Sequence, residues 1–259
     1  MRPTSQFLGF FNYSDLSEIP EAPGVYAWYA FPIIGAADWR EKLNKLSQDE
    51  GDDNLRRVLA DFTMQFAPPA LKVNARHAFR DAWNGYLEAS AFSKSSAELR
   101  EHSDNTKESN QFPGESIRKV FANEQTRRAL TAQLIPHASP INSPIYIGSA
   151  KKLKSRISTH VSYFSKLMDS LERTGETRDS LIEKLELKER DAAETGDYQA
   201  TAIIGFAARL FRHRFELEQL RFTYVGFENL DLSDEQKVAL SRTLEWLLNT
   251  WNKPILGRV

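Results

Sequence analysis

Two short segments with the composition of β-strands stand far apart in this chain. Residues 19–30, IPEAPGVYAWYA, place a Pro-Gly turn signal directly before Val, Tyr, Trp and Tyr, and this composition is typical of a strand. Residues 143–148, SPIYIG, form the second such segment. A long region, residues 31–142, separates the two segments and has a different character. The sequence therefore predicts two short strands at a distance in the chain.

Residues 31–142 are predicted to form a mostly helical subdomain. Apolar residues recur at helical spacing over residues 39–46, 55–66 and 75–92. Residues 93–115 are rich in Ser, Asn, Glu and Lys, a composition typical of a loop.

The chain after the second strand is predicted to alternate helices with one further strand. The first helix there has an apolar face made of Leu153, Ile157, Val161, Phe164 and Met168. Residues 179–193 form a charged helical stretch, and residues 200–215 form an apolar helix. Residues 220–227, LRFTYVGF, are rich in β-branched and aromatic residues and are predicted to be a strand.

The last helix is predicted to begin after Ser233, an N-cap residue, and to run to about Trp251. Its expected core face consists of Leu240, Leu244, Leu247, Leu248 and Trp251. Together these elements predict an α+β (α/β) fold, with a small three-stranded, mainly antiparallel sheet flanked by helices.

Charge is unevenly distributed although the net charge is only -1. Residues 125–168 contain no Asp or Glu, whereas residues 169–197 are rich in both. The first of these windows could form a positive patch for the phosphates of a nucleic acid. The alternative is that the windows are two solvated helical faces of opposite sign. The cations of the basic window are Arg127, Arg128, Lys151, Lys152, Lys154, Arg156 and Lys166.

The chain contains no cysteine, so a metal ion must bind to oxygen or imidazole ligands, and this favours hard ions such as Mg²⁺. There is no apolar run of the roughly 18 to 20 residues that a membrane-spanning helix needs. The polar start, MRPTSQ, also lacks the layout of a signal peptide. We therefore expect a cytoplasmic protein without a membrane partner.

Short motifs occur along the chain in a distinctive order. GVY lies in the first predicted strand and YIG in the second, and an Arg and a His follow YIG one helical turn apart. In this order the chain resembles the GIY-YIG nuclease superfamily. The matching positions are GVY at 24–26, YIG at 146–148, Arg156, His160, Glu245 on the last predicted helix, and the Lys-Pro pair ending at Pro254.

The resemblance implies a metal-dependent endonuclease that hydrolyses DNA phosphodiester bonds by a one-metal mechanism. Glu245 is then the single protein ligand of Mg²⁺ (or Mn²⁺), because this ion commonly keeps water and phosphate oxygens as its other ligands. Arg156 grips a phosphate oxygen through its planar fork of donors. One of Tyr26 and Tyr146, most often argued to be the first, accepts the proton of the attacking water. His160 hydrogen-bonds a tyrosine hydroxyl or the phosphate, and the roles of Tyr26 and His160 could be exchanged.

Glycines and lysines beside the motifs also have expected roles. Gly24 and Gly148 allow close approach of a strand to its neighbour. Lys151, Lys152 and Lys154, together with Gly148, are assigned to the DNA contact, where the lysines touch phosphates without reading sequence.

The same residues have plain structural explanations. Tyrosines in strands are usually packing residues, an Arg and a His on a basic helix are usually solvated, and Glu245 could pair with Arg242 at i, i+3. The family commonly carries an Asn after the Pro, where this chain has Gly257. The alternative function is therefore a catalytically weak or inactive GIY-YIG-like module that binds DNA or a partner protein.

The family usually joins its two motif strands by a short connection, and residues 31–142 have no counterpart in it. The resemblance therefore implies a discontinuous domain of residues 1–30 and 143–259 with a large insertion over residues 31–142, which is tolerated at the tip of a hairpin because the pairing of the motif strands stays intact. The charged stretch near residues 169–199 is then a second insertion.

The insertion over residues 31–142 could supply target recognition, which leads to the hypothesis of a role in restriction or phage defence. A second hypothesis makes it a platform for protein interaction or dimerisation, and association into a homo-oligomer stays open.

Overall fold

The computed structural model describes residues 10–40, 50–67, 71–76, 82–87, 119–137 and 143–257. The chain divides into two compact units. One consists of Met1–Phe31 and Asn142–Val259, and the other of Pro32–Ile141. The predicted loop at residues 93–115 and most of the predicted helical segment at residues 39–46 lie outside the described residues.

The described residues form strands and helices in an α+β arrangement, and this confirms the predicted fold class. The strands are β1 (Phe11–Asn12), β2 (Gly24–Ala30), β3 (Leu71–Arg76), β4 (Ala82–Leu87), β5 (Tyr146–Ala150) and β6 (Leu220–Gly226). The α-helices are α1 (Ala36–Trp39), α2 (Glu50–Gln65), α3 (Glu124–His137), α4 (Leu153–Thr174), α5 (Arg178–Glu194), α6 (Tyr198–Arg212) and α7 (Asp234–Asn252). Short 3₁₀ turns lie at Leu16–Glu18 and Leu217–Gln219.

The larger unit is built on a four-stranded antiparallel sheet in the order β1-β6-β2-β5. The prediction of three strands was wrong, because Phe11 and Asn12 add the short strand β1, which pairs with β6. Two residues are too few to carry a periodic signal. The predicted pairing of the two motif strands is present, with Tyr26 opposite Gly148 and Trp28 opposite Tyr146.

Helices cover the two faces of this sheet. On one face, Val25, Ile147 and Phe227 form an apolar cluster against Leu244 and Leu248 of α7. Because side chains alternate along a strand, the neighbouring residues Tyr26 and Tyr146 face the other side. There, Phe206 of α6 packs against Trp28 and Tyr146, with ring centroids 5.8 and 4.8 Å apart.

The last helix begins where the sequence predicts. The Ser233 side chain accepts a hydrogen bond from the backbone N–H of Gln236, and the Gln236 side chain returns one from the Ser233 N–H. The predicted core face is wrong at two positions, since Leu240 and Trp251 are exposed. The apolar cluster of the sheet contacts α7 through Leu244 and Leu248. Leu240 and Trp251 lie about one helical turn before and after this contact, so the apolar stripe of the helix is longer than the part that the sheet covers.

The smaller unit contains both helices and a hairpin. The predicted helical segment at residues 55–66 coincides with α2. The helical prediction for residues 75–92 was wrong where the structure describes them, because β3 and β4 pair as antiparallel strands with Ala75 opposite Trp83. Short apolar runs fit both periodicities, and the pairing of two segments decides between them.

No helix in the described ranges is both long and apolar enough to cross a membrane.

Candidate active site

A cleft of about 780 Å³ opens beside β5, the strand at one edge of the sheet. We call it the edge cleft. Its wall includes Tyr146 and Ser149 of β5, Arg156 of α4, and Glu245 and Asn249 of α7. Since α4 and α7 cover opposite faces of the sheet, side chains from both faces meet at this edge.

Tyr26 and His160 form a buried pair next to the edge cleft. The Tyr26 hydroxyl and His160 Nε2 are 2.9 Å apart, a hydrogen-bond distance. Both side chains are almost completely buried, and neither belongs to the cleft wall. The pair connects the central strand β2 to α4, the helix that also carries Arg156.

Burial shifts the pKa of each side chain in this pair in the direction that favours its neutral form. The pKa of Tyr26 is raised well above 10.0, first by burial and then by neighbouring Tyr146, although the charge and hydrogen bonding of Arg156 oppose the shift. The pKa of His160 is lowered well below 6.5 by burial and by the charges of Arg156 and Arg209. At neutral pH a neutral phenol therefore faces a neutral imidazole.

Tyr146 is the tyrosine that lies in the wall of the edge cleft. Its ring centroid is 6.1 Å from that of Tyr26 and 6.2 Å from that of His160. Burial and then the charge of Glu245 raise the pKa of Tyr146, while Arg156, Arg209 and a hydrogen bond from Tyr26 lower it. Tyr146 thus lies between the buried pair and the cleft.

Glu245 reaches the same cleft from the other face of the sheet. Its Oε2 accepts a short hydrogen bond from the Ser149 hydroxyl, and this holds the carboxylate against β5. Its backbone carbonyl accepts a hydrogen bond from the Asn249 side-chain amide at 2.9 Å. Tyr146, Arg156 and Glu245 therefore share one cleft, and Tyr26 and His160 lie directly behind Tyr146.

The two motif glycines lie where a side chain would collide. A Cβ at Gly148 would come 2.7 Å from the Tyr26 hydroxyl and 2.9 Å from the Tyr146 ring. A Cβ at Gly24 would come 2.2 Å from the Val225 carbonyl oxygen. Gly148 is buried, so in this structure its missing side chain makes room for the tyrosines.

The lysines after YIG lie at the rim of the site. Lys151 and Lys152 are exposed and line the edge cleft, together with Arg242 of α7. Lys154 is partly exposed and does not belong to the cleft wall. With Arg156, four cations therefore line the cleft that contains Glu245.

Ser149, Asn249 and Trp246 belong to the site but were not singled out from the sequence. Ser149 and Asn249 contact Glu245, and Trp246 lines the cleft. Ser149 follows YIG directly, and Asn249 lies one helical turn after Glu245, which is the signal that could have identified them. Gly257 lies in the tail, where the Leu256 N–H donates to the Ile145 carbonyl at 2.7 Å.

The donors present suit a hard divalent ion with few protein ligands. Within the described ranges, no three His, Asp or Glu side chains cluster closely enough to bind a metal ion. Glu245 is the carboxylate in the wall of the edge cleft. A metal ion there would need water and substrate oxygens to complete its coordination, as Mg²⁺ commonly does.

Comparisons of the chain with protein-family models, with curated proteins and with solved structures found no match.

Proposed function

We propose that this chain is a GIY-YIG-type endonuclease that hydrolyses DNA phosphodiester bonds with the help of one divalent metal ion. The observation that carries the proposal is the shared cleft of Tyr146, Arg156 and Glu245, three side chains from different elements. Their chemistry fits what phosphodiester hydrolysis needs, which is a proton acceptor, a cation for the phosphate and a metal ligand.

Glu245 is the residue that would hold Mg²⁺ or Mn²⁺. Such an ion would supply positive charge to phosphate oxygens and make bound water more acidic. Ser149 keeps the Glu245 carboxylate in one orientation through its hydrogen bond, and partners of this kind commonly tune metal ligands.

Arg156 is proposed to bind a non-bridging oxygen of the scissile phosphate. It lies in the wall of the edge cleft and interacts electrostatically with both motif tyrosines. A guanidinium offers several donors in one plane, which suits both a phosphate and a phenol oxygen.

The tyrosines and His160 are proposed to carry the proton away from the attacking water. Tyr146 is in the cleft wall, whereas Tyr26 lies behind it and hydrogen-bonds His160. A tyrosinate alone is unfavourable there, because burial raises the pKa of both phenols. A phenol that receives the proton of the water can pass its own proton on, and His160 Nε2 is the nitrogen within reach of Tyr26. Burial and the charges of Arg156 and Arg209, which lower the pKa of His160, oppose this transfer, so it depends on the negative charge that the phosphate brings to the site.

Nicking of supercoiled plasmid tests the proposal. We expect the purified protein to nick plasmid DNA with Mg²⁺ and not with EDTA. Glu245→Gln keeps the size of the side chain but removes its charge, and it should abolish nicking. The control is Glu172→Gln, which neutralises an exposed carboxylate of α4 that lines neither this cleft nor its neighbour, and it should leave nicking intact. Absence of metal-dependent nicking by the intact protein would refute the proposal.

A second candidate is a module that binds DNA without cutting it. The burial of Tyr26 and His160 away from the cleft favours this candidate, and so does Gly257 at the place of the family's usual Asn. It predicts DNA binding in the absence of any nicking, with Glu245→Gln binding as tightly as the intact protein. Target recognition by residues 31–142, in restriction or phage defence, remains a hypothesis for either candidate.

A further inference from the structure

Trp246 is a large apolar side chain exposed in the edge cleft. It is 65% exposed and follows Glu245 directly in α7. Exposing a tryptophan is unfavourable compared with burying it, because its indole ring presents a large apolar surface to water. Because Trp246 lies in the cleft wall, a ligand in the cleft would cover its ring. Trp251 on the same helix serves as a comparison. Trp251 is 69% exposed and does not belong to the wall.

Cations line the edge cleft together with Trp246. Arg242 precedes it by one helical turn on the same face of α7, and Lys151 and Lys152 come directly after β5 in the chain. The same three cations line a second cleft of about 670 Å³. They therefore lie where the two clefts adjoin, and phosphates of a strand in the edge cleft would meet them there.

The charge on the second cleft limits how far that backbone contact extends. Its wall also contains a fourth cation, Lys237, and four carboxylates, so positive and negative charges offset each other there. The positive stretch is thus short and ends near Arg242, with Trp246 beside it. The four carboxylates belong to Glu21, Glu228, Asp234 and Glu235.

We infer that Trp246 is a stacking platform for an unpaired base next to the scissile phosphate, so that the preferred substrate is DNA that is single-stranded at the cleavage site. An exposed indole beside backbone-binding cations is the arrangement that holds single strands, since every base has a π-face. A base inside a duplex shows only its edges in the grooves, so it must leave the stack to reach Trp246. The inference rests on the proposed nuclease function.

Binding measured without metal tests this inference separately from catalysis. Fluorescence anisotropy in EDTA would compare a labelled single-stranded oligonucleotide with the duplex of the same sequence, using the full chain. Trp246→Leu should weaken binding of the single strand by about tenfold or more and binding of the duplex by less than about threefold. Trp246→Phe, which keeps an aromatic face, should stay close to the intact protein.

Trp251→Leu is the matched control, and it should change neither affinity. The inference is overturned if Trp246→Leu and Trp251→Leu have the same effect, or if Trp246→Leu weakens single-strand and duplex binding equally. Strong Trp246-dependent binding without any Mg²⁺-dependent nicking would instead contradict the proposed nuclease function alone. Nicking that is insensitive to Trp246→Leu, with unchanged single-strand affinity, would contradict the stacking role alone.

Discussion

The hydroxyl of Tyr26 lies 2.9 Å from Nε2 of His160, although 134 positions separate the two residues in the chain. The bond joins the central strand to the helix that carries Arg156. Both groups are buried, and the hydrogen bond gives each polar atom a partner. A buried polar atom without a partner would lower the stability of the fold. This contact also places the imidazole next to Tyr146, with the two ring centroids 6.2 Å apart.

Removal of the Tyr26 hydroxyl should cost both stability and activity. Tyr26→Phe leaves His160 Nε2 buried without its partner, and we expect a loss of about 1 to 3 kcal/mol in the free energy of unfolding. Nicking should slow by about 10²-fold or more if the hydroxyl takes part in proton transfer. Urea unfolding and plasmid nicking measure the two effects. In a double-mutant cycle with His160→Gln the losses should not add, and additive losses would show that the two residues act independently.

The stability of the protein should fall when the pH drops below about 6.5. The folded-state pKa of His160 is lowered, so the unfolded chain takes up a proton there at a pH where the folded chain does not. Below 6.5 this group therefore reduces the free energy of unfolding, by up to about 1.4 kcal/mol per pH unit, until the folded-state pKa is reached. Urea unfolding between about pH 5 and 8 measures the slope. His160→Gln should flatten it, and an identical slope in both proteins would contradict the assignment to His160.

Addition of one methyl group at Gly148 should disturb both tyrosines. The new Cβ would approach the Tyr26 hydroxyl to 2.7 Å and the Tyr146 ring to 2.9 Å, and overpacking of this kind costs about 1 to 3 kcal/mol. Gly148→Ala should therefore lower the midpoint of thermal unfolding and reduce nicking. Gly35→Ala is the control, because its Cβ would make only an ordinary contact of 3.6 Å. Equal midpoints for the two variants would argue against a tight fit at Gly148.

Loss of the Ser149 hydroxyl should weaken metal binding while leaving the fold intact. Ser149→Ala removes the hydrogen bond to Glu245 Oε2, and loss of such a partner typically costs about 10- to 100-fold in metal affinity. Titration calorimetry with Mn²⁺ measures the change directly. Ser155→Ala provides the comparison, because Ser155 lines the same cleft but, among the described residues, the hydroxyl that donates to the Glu245 carboxylate is that of Ser149. An unchanged affinity in Ser149→Ala would mean that Ser149 does not position the ligand.

Local sequence patterns predicted the helices and strands around the site closely. The capping box at Ser233 and the β-branched and aromatic run at residues 220–227 are local signals, and each element formed where they predict it. The exposed positions Leu240 and Trp251 and the hairpin of β3 and β4 did not follow from such patterns. In each case the outcome depends on which distant segment packs against the element.

The sequence by itself determined the α+β class, the two motif strands and the identity of the polar side chains that could do chemistry. Only the tertiary structure decided that Tyr146 lines the edge cleft while Tyr26 lies behind it, and that Ser149 and Trp246 belong to the same site. The physical reason is that alternation along a strand tells which residues share a face, but not which face a helix covers or where a sheet ends. Because β5 is an edge strand, side chains from both faces of the sheet can meet at its border.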